Sequence, residues 1–291
     1  MRPRPPDDDA GFALITVLWA AVVLSLVTAG VIAMAQTAAT VAHGREQRAR
    51  AVDVADAAIN LVLLDLLEPG RQQRVPTDGT SFSRQVLGQT VRVAVQDEIG
   101  KIDLNAASPE VLRQLLESAG LDPAAADAMA DKILDWREYG VGKRLNGAKA
   151  EDYHAAGYRY GPRQGPFATV DELKLVMGMS QALFDKMAPC LTVYSQSSMV
   201  DQTVAPRQVL LVLSGMDEDA VDHMLDARAA RLVGDDAAGI AAVGAANFNP
   251  IGHALTVSAT VVGHGRHGVT RTVVVRLTGQ ARDPIWIYRW N

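Results

Sequence analysis

A long stretch without charge near the N-terminus constrains this chain more than any other feature. Residues 12–35 contain no charged side chain, and the next charged residue is Arg45. A helix of that length rises about 36 Å, enough to cross the hydrocarbon core of a bilayer with some tilt. The sequence therefore predicts a membrane-compatible helix at residues 12–35.

Three interpretations of this stretch compete. A secretory signal peptide has a shorter apolar core, although Ala33-Met34-Ala35 supplies a small-x-small cleavage site for it. A plain uncleaved anchor helix fits the length. In the third interpretation, a prepilin leader of residues 1–11 is removed after Gly11, and the apolar helix stays in the protein.

The helical pattern continues beyond the uncharged stretch. Apolar residues recur along one face at spacings of three and four, namely Val52, Ala55, Ile59, Val62 and Leu66. The first pair of helix breakers is Pro69-Gly70. One helix of about 85 Å is therefore predicted for residues 12–68, with a second half suited to packing against a sheet. A signal peptide has no need of that continuity.

The N-terminus resembles that of the type IV pilin and pseudopilin superfamily, in Gly11-Phe12 followed by Ala13-Leu14-Ile15 and the long apolar helix. The resemblance implies that prepilin peptidase cuts the Gly11–Phe12 bond and that Phe12 becomes the N-methylated terminus. Most members carry glutamate at the fifth mature position, where this chain has Thr16. A buried carboxylate is costly unless it is paired, so a subunit at the filament end, with one neighbour fewer, can do without it. The missing glutamate is typical of the K-type minor pseudopilins, whereas in an ordinary anchor Thr16 is merely a tolerated residue.

Strand patterns occur at both ends of the remaining chain. Residues 90–97 alternate strictly between apolar and polar, and Gly88-Gln89 predicts a hairpin with residues 82–87. Further strands rich in Val, Thr and aromatic residues are predicted at 255–262, 269–277 and 285–290, with a turn at 263–268. These patterns predict a small antiparallel sheet, with some of its strands before residue 100 and the others after residue 254.

Between these strands lies a helical block that repeats a helix–turn–helix unit three times. The first helix of the first unit begins with Ser108 as N-cap and Pro109 in the first helical position. The second helix of this unit is predicted from residue 124 to about 136. In the second unit, Thr169 and Glu172 are expected to form a capping box, followed by a helix at 181–188. The third unit is predicted at 205–210 and 220–231.

The sequence of this block is similar to the K-type minor pseudopilins in four successive phrases: residues 97–112, 133–137, 165–173 and 188–194. The resemblance implies an α+β fold, with a pilin-like long N-terminal helix packed on a small antiparallel sheet and an inserted all-α domain of helix-hairpin-helix or SAM-like type. The predicted division is a leader at 1–11, the long helix at 12–68 with its membrane part at 12–35, the first part of the sheet at 69–98, the helical domain at 99–250 and the last part of the sheet at 251–291.

The resemblance also implies a function in protein export. A K-type minor pseudopilin initiates and caps the type II secretion pseudopilus at its tip, for export across the outer membrane. The implied partners are the I- and J-type minor pseudopilins, the major pseudopilin and prepilin peptidase, with no nucleic acid. The implied location is the bacterial inner membrane, crossed once, with the C-terminal domain in the periplasm. Basic residues alone do not settle the topology, because Arg2 and Arg4 precede the helix and Arg45, Arg48 and Arg50 follow it.

A membrane-anchored DNA-binding protein of the competence type is the sharpest alternative. Helix-hairpin-helix units also bind the DNA backbone, through a glycine-rich turn and nearby basic residues. Two of the three turns here are acidic, at 117–122 and 215–219, and the turn at 178–180 lacks a paired glycine. The net charge of -5 gives no indication of a polyanionic partner either.

No pattern typical of an enzyme is present in the sequence. The six histidines have no HExxH or HxxxH spacing, and GxSxG, GxGxxG and P-loop patterns do not occur. The single cysteine, Cys190, excludes an intramolecular disulfide and a CxxC zinc site, and is expected to be a small buried side chain. We therefore expect a structural protein without a cofactor.

Calcium is the one ligand that the resemblance raises. Members of the family can bind it in the loop after the Asp135-Trp136 phrase, and the matching carboxylates in this chain are Glu138, Glu151 and Asp152. Four basic residues crowd the same loop, namely Arg137, Lys143, Arg144 and Lys149. Calcium prefers six to eight oxygen ligands in a negatively charged cage. The alternative is a loop without a cation, held by ion pairs.

Overall fold

One long helix opens the fold. Helix α1 covers Asp9–Leu67, 59 residues, which agrees with the helix predicted for residues 12–68. Its sequence contains no proline, and alanine, the strongest helix former, recurs throughout it. The helix ends just before the predicted break at Pro69-Gly70.

The computed structural model of the chain describes residues 9–68, 75–140, 142–213, 215, 217–233, 250–261 and 268–291. Several predictions fall outside these residues: most of the leader (1–8), the break at Pro69-Gly70, the turn at 263–267 and the end of the helical block (234–249). The chain forms two compact units, Met1–Asp53 and Val54–Asn291. We call the second unit the head. The bounds predicted for the leader, the two parts of the sheet and the helical domain stay a prediction.

After α1 the described chain contains strands and short helices in mixed order. The strands are β1 (Asp78–Val86), β2 (Gln89–Asp97), β3 (Ile102–Asp103), β4 (Leu191–Thr192), β5 (Ala254–Val261), β6 (Val269–Leu277) and β7 (Ile285–Trp290). The helices are α2 (Pro109–Ser118), α3 (Pro123–Arg137), α4 (Ala150–Ala155), α5 (Gln181–Met187), α6 (Arg207–Leu213) and α7 (Glu218–Val233). The five long strands lie within a residue or two of the predicted ones, except that β1 begins four residues earlier.

The main sheet is antiparallel and has the order β1-β2-β5-β6-β7 in the described residues. Strand β2 pairs with β5, Val93 opposite Ala259, and β5 pairs with β6, Val257 opposite Val273. Residues that lie directly opposite point to the same face. This register collects the fully buried valines of the three central strands on one face of the sheet. The predicted sheet, split between two distant parts of the chain, is confirmed.

The second part of α1 covers that face within the head. The predicted stripe is almost completely buried from Ala55 to Leu66. Two ion pairs fix the helix to the sheet: Asp56 Oδ1 accepts from Arg271 Nε at 2.9 Å, and Asp65 Oδ2 accepts from Arg84 Nη1 at 2.5 Å. The buried stripe therefore belongs to the core of this subunit, and it is not available to the helix of another subunit.

The β1–β2 hairpin turns at Leu87 and Gly88, which both have positive φ, 50° and 78°. Two consecutive left-handed residues are what a two-residue turn of type I′ requires. Glycine adopts this conformation without steric cost, which explains its position in the second place of the turn. The turn therefore brings β1 and β2 together in the register that places Arg84 on the side of α1.

The helical block lies between β2 and β5 in the chain and has its own apolar core. Ser108 caps α2 by accepting from the Val111 N–H at 3.3 Å, and Pro109 follows it, as predicted. Leucines at spacings of three and four on α2, Leu112, Leu115 and Leu116, pack with Ile133 and Leu134 of α3. Burial of each such side chain stabilises the fold by about 1.5–3 kcal/mol.

One local prediction is wrong. Thr169 makes no side-chain capping bond, and residues Val170–Leu175 form a short 3₁₀ helix. The Glu172 carboxylate is instead held by the indole N–H of Trp136 at 3.0 Å and by Arg163 Nη1 at 3.1 Å. The Ala168 N–H also donates to Glu172 Oε2 at 2.9 Å. Glu172 therefore binds the residue before Thr169 and two more distant side chains in place of the predicted capping box. The sequence patterns also missed α4 and the parallel pair of β3 and β4.

Candidate functional site

The first candidate region is the exposed part of α1, residues 14–50, where every side chain is exposed. Large apolar side chains occur all around it, with Leu14 75%, Trp19 67% and Leu24 67% exposed. This helix is long and apolar enough to cross a membrane. An isolated water-soluble fold does not leave so many apolar side chains uncovered, so this segment requires a partner outside the chain.

Four hydroxyl side chains of this segment bond to the backbone of the helix itself. The hydroxyls of Ser25, Thr28, Thr37 and Thr40 each donate to the carbonyl four residues earlier, at 2.7–2.9 Å. Such bonds allow hydroxyl residues to enter an apolar medium, because no donor is left without an acceptor. The segment is therefore compatible with lipid or with the interior of a filament.

The residues predicted to take part in processing lie at the start of α1. Gly11 and Phe12 belong to its first turns, and cleavage between them stays a prediction. Thr16, the position where most pilins carry glutamate, lies on the exposed surface of the helix. The first ion pair of the described helix comes after the apolar part, where Arg50 Nη2 contacts Glu46 Oε1 at 2.5 Å.

The second candidate region is the loop that follows α3. The Glu138 carboxylate contacts the guanidinium of Arg144 at 2.7 Å. Asp152, at the start of α4, accepts from Lys143 Nζ at 2.5 Å and from the Lys149 backbone N–H at 2.8 Å. These bonds lower the pKa of Asp152, chiefly through Lys143. Glu151 lies exposed on α4.

Two of the three carboxylates predicted for calcium, Glu138 and Asp152, therefore pair with different basic residues, and Glu151 is exposed. Among the described residues, no group of three or more His, Cys, Asp or Glu side chains is arranged to hold a metal ion. Both oxygens of Asp152 already accept hydrogen bonds from the loop. The donor set does not fit a calcium cage, which needs six to eight oxygens and net negative charge. The geometry favours the alternative, a loop held by ion pairs.

An aromatic core underlies the same loop. The Trp136 ring stacks on Phe167 at 6.2 Å and lies 5.9 Å from Tyr153. The Tyr153 hydroxyl accepts from the Met177 N–H at 2.8 Å, and burial raises the pKa of Tyr153 to about 12. Three sequence motifs that are distant along the chain thus meet in one cluster, through Trp136, Tyr153 and Phe167. Their role in this chain is structural.

Two carboxylates, Asp97 and Glu98, lie at the end of β2, where the chain passes from the sheet into the helical block. Asp97 is fully buried and accepts from the His253 ring at 2.6 Å. Glu98 is also buried, and it accepts from the Thr256 hydroxyl at 2.6 Å and from Lys101 Nζ at 2.9 Å. The hydrogen bond that the His253 ring makes to the Asp97 carboxylate raises the pKa of His253. Sequence reasoning assigned His253 no partner, because only the pairing of β2 with β5 brings it to Asp97.

Cys190 has the buried position predicted for it. The side chain is 2% exposed, and burial raises the pKa of its thiol to about 11. A thiol with so high a pKa is uncharged near neutral pH and is a poor nucleophile. Cys190 therefore acts as a small apolar residue of the helical core.

Next to two of the three predicted turns, basic side chains pair with groups of the chain itself. At the turn between α2 and α3, Arg113 Nη1 contacts Glu117 at 2.8 Å, and Lys186 Nζ donates to the Ala119 carbonyl at 2.8 Å. Next to the turn between α6 and α7, Arg207 Nε contacts Asp222 at 2.7 Å. Cations engaged in this way have little charge left to offer a DNA backbone. The DNA-binding alternative therefore gains no support from the geometry.

Comparisons with known proteins agree on one family. A family model described as type II secretion system protein K matches residues 91–196, which include the Trp136 cluster and the ion-paired loop. The type II secretion system protein K of Pseudomonas aeruginosa is 25% identical over 240 residues, 75% of this chain and 72% of that protein. The chain is similar to the type II secretion protein K family over most of its length. The family predicted from the sequence is confirmed.

Further comparisons extend this result. The protein K of Klebsiella pneumoniae is 33% identical over 90 residues, 30% of this chain and 28% of that protein. The solved GspK–GspI–GspJ complex of the enterotoxigenic Escherichia coli type II secretion system contains a chain with 14% identity and a TM-score of 0.52. The match covers 86% of this chain and 98% of that one, and it supports the predicted fold class. These similarities support a minor pseudopilin role for this chain in type II secretion.

Proposed function

We propose that this chain is the tip subunit of a type II secretion pseudopilus, where it initiates and caps the filament for protein export across the outer membrane. The observation that carries the proposal is a single helix whose first part exposes apolar side chains while its second part is buried in a K-family head. The first part enters the filament by its apolar surface. We infer that the large head leaves no position for a further subunit above it.

The exposed segment of α1 first anchors the chain in the bacterial inner membrane, which it crosses once. The internally bonded hydroxyls make the segment compatible with hydrocarbon. The head then lies in the periplasm, on the side where the pseudopilus is built. The charges flanking the helix do not determine this orientation, so it rests on the family.

Processing precedes assembly. Prepilin peptidase cuts the Gly11–Phe12 bond on the cytoplasmic side, and the new amine of Phe12 is N-methylated. In most pilins this amine meets a glutamate of a neighbouring subunit, and this chain has Thr16 in place of that glutamate. A neutral residue at this position removes the cost of an unpaired carboxylate in an apolar surrounding, which suits a subunit with one neighbour fewer.

The proposed partners are other pseudopilins. The E. coli chain that shares this fold was solved in a complex with GspI and GspJ, and we infer the I- and J-type minor pseudopilins and the major pseudopilin as partners of this chain. Residues 14–50 supply the apolar surface for helix-to-helix contact. The chain has no catalytic role in this scheme and requires no nucleic acid.

N-terminal sequencing of the chain from membranes tests the processing step. The wild type is expected to begin at Phe12, and Gly11→Leu is expected to remain a full-length precursor that retains residues 1–11. Gly30→Leu is a matched control, because a Cβ at Gly30 meets no atom within 4 Å. It places the same side chain on the same helix and leaves cleavage unchanged. A mature chain beginning at Gln36 would instead identify the segment as a signal peptide and refute the proposal.

Co-purification tests the assembly step. The full-length chain, solubilised in detergent from cells that express the secretion genes, is expected to retain two smaller pilin-like proteins. The same preparation is passed over immobilised DNA at physiological salt. Retention on DNA without pilin-like partners would favour the DNA-binding alternative and exclude the tip proposal.

A further inference from the structure

Three carboxylates line one side of α3 towards the loop that follows it. Asp131, Asp135 and Glu138 are spaced by four and three residues, which places them on the same face of a helix. Asp135 is fully buried, whereas the side chains of Asp131 and Glu138 remain about a quarter exposed. Three like charges so close together, one of them out of water, destabilise the fold unless cations compensate them.

The compensating cation comes from the chain itself. The Arg144 guanidinium reaches all three carboxylates, at 2.7 Å from Glu138, 3.4 Å from Asp135 and 4.0 Å from Asp131. The Lys149 ammonium lies 3.2 Å from the same oxygen of Asp135 that Arg144 contacts. Arg137 Nε also lies 3.9 Å from Glu138, so three positive charges surround this group of three negative charges.

The backbone of the loop completes the arrangement. The Arg144 N–H donates to Asp135 Oδ2 at 3.3 Å, and the Asn146 N–H donates to Asp131 Oδ2 at 3.1 Å. A Cβ at Gly147 would overlap the Asp135 carboxylate, so this position must be glycine for the loop to approach so closely. The loop is therefore folded onto the acidic face of α3 by bonds that begin and end within the chain.

We propose that Arg144, assisted by Lys149, is a built-in cation that takes the place of a divalent metal ion in this loop, so that the head folds without calcium. The resemblance to the family implied a calcium loop at this place, and the donor set of this chain does not fit one. A guanidinium is planar, always charged and able to bond several carboxylates at once. It therefore performs the charge compensation that a metal ion performs elsewhere, and it occupies the oxygens that such an ion needs.

Thermal unfolding of the full-length, detergent-solubilised chain tests the proposal. The wild type is expected to have the same Tm in millimolar calcium chloride and in excess EGTA. Arg144→Gln removes the charge and leaves Asp135 undercompensated, so its Tm is expected to fall by roughly 5–10 °C. Adding Asp135→Asn to Arg144→Gln removes the excess negative charge, and the double variant is expected to recover about half of that loss.

Arg113→Gln is the matched control. Arg113 also contacts two carboxylates, at 2.8 and 3.6 Å, but on the solvent side of the helical block. Its loss is expected to change the Tm by less than about 2 °C, because exposed ion pairs contribute little. A wild-type Tm that rises with calcium would overturn the proposal. So would an Arg144→Gln variant as stable as the wild type, or a double variant that recovers nothing, since the loss would then come from packing rather than charge.

Discussion

The two parts of α1 have similar apolar compositions and opposite environments. Residues 14–50 are exposed along their whole length, whereas Ala55, Ile59 and Val62 of the second part are completely buried. The second part finds its partner within the chain, the valine face of β2, β5 and β6. The first part leaves its apolar side chains exposed, which suits lipid or another pseudopilin as its partner. Hydrophobicity alone therefore does not tell a core from an interface.

What separates the two parts is the charge between the apolar residues. In the buried part, Asp56 and Asp65 pair with Arg271 and Arg84 of the sheet, so the helix has one defined rotation on the sheet. In the exposed part, the uncharged polar residues bond to their own backbone. Residues 14–35 of the exposed part carry no charge, so their surface can enter lipid and later a filament, whereas a surface with paired charges cannot.

A new carboxylate should have the largest effect on the stability of the head when it is placed in the buried part of α1. The same change in the exposed part of α1 should give the clearest contrast. Ala58→Asp buries an unpaired charge between α1 and the sheet and is expected to lower the free energy of unfolding by at least about 4 kcal/mol. Ala29→Asp places the same charge in the exposed part, and the head is expected to keep its stability while less chain is retained in membranes. Urea unfolding followed by tryptophan fluorescence and alkaline extraction of membranes measure the two effects. Equal losses of head stability would break the distinction between the two parts.

Removal of the Asp56 carboxylate should have an intermediate effect on the stability of the head. Asp56→Ala leaves both Arg271 Nε and Trp290 Nε1 without their acceptor, now at 2.9 and 3.1 Å. The expected loss is about 1–3 kcal/mol in the free energy of unfolding. Asp53→Ala, one turn earlier and exposed, provides the control and should change the urea midpoint little. If the two variants behave alike, Asp56 does not fix the rotation of the helix on the sheet.

The smallest expected effect is a dependence of head stability on pH. Asp97 raises the pKa of His253 above its ordinary value of 6.5. The protonated imidazole therefore stabilises the folded head fully below about pH 6.5, and this contribution is lost as the pH rises through the folded-state pKa. His253→Gln should flatten the unfolding free energy between pH 6 and 8, while His43→Gln, in the exposed part of α1, should leave it unchanged. An unaltered pH profile in His253→Gln would show that the Asp97 pair contributes nothing in solution.

Much of the fold was predictable because its signals are local. Strict alternation identified β2, the spacing of Ala55, Ile59, Val62 and Leu66 identified the buried face of α1, and Ser108-Pro109 marked the start of α2. Each pattern involves residues a few positions apart, and the structure keeps each of them. The capping box at Thr169 failed for the opposite reason, since Trp136 and Arg163 hold Glu172 from a distance. Helix α4 was missed because its six residues are too few for a periodic signal.

By itself, the sequence determined that this chain has an uncharged helix of membrane length, a split sheet and a helical block with the phrases of the K family. Only the tertiary structure decided that Asp97 meets His253 and that the carboxylates of α3 meet Arg144. The physical reason is the separation along the chain of the residues that interact. Periodicity and capping act between neighbours in the chain, whereas charge pairing and burial depend on segments that only packing brings together.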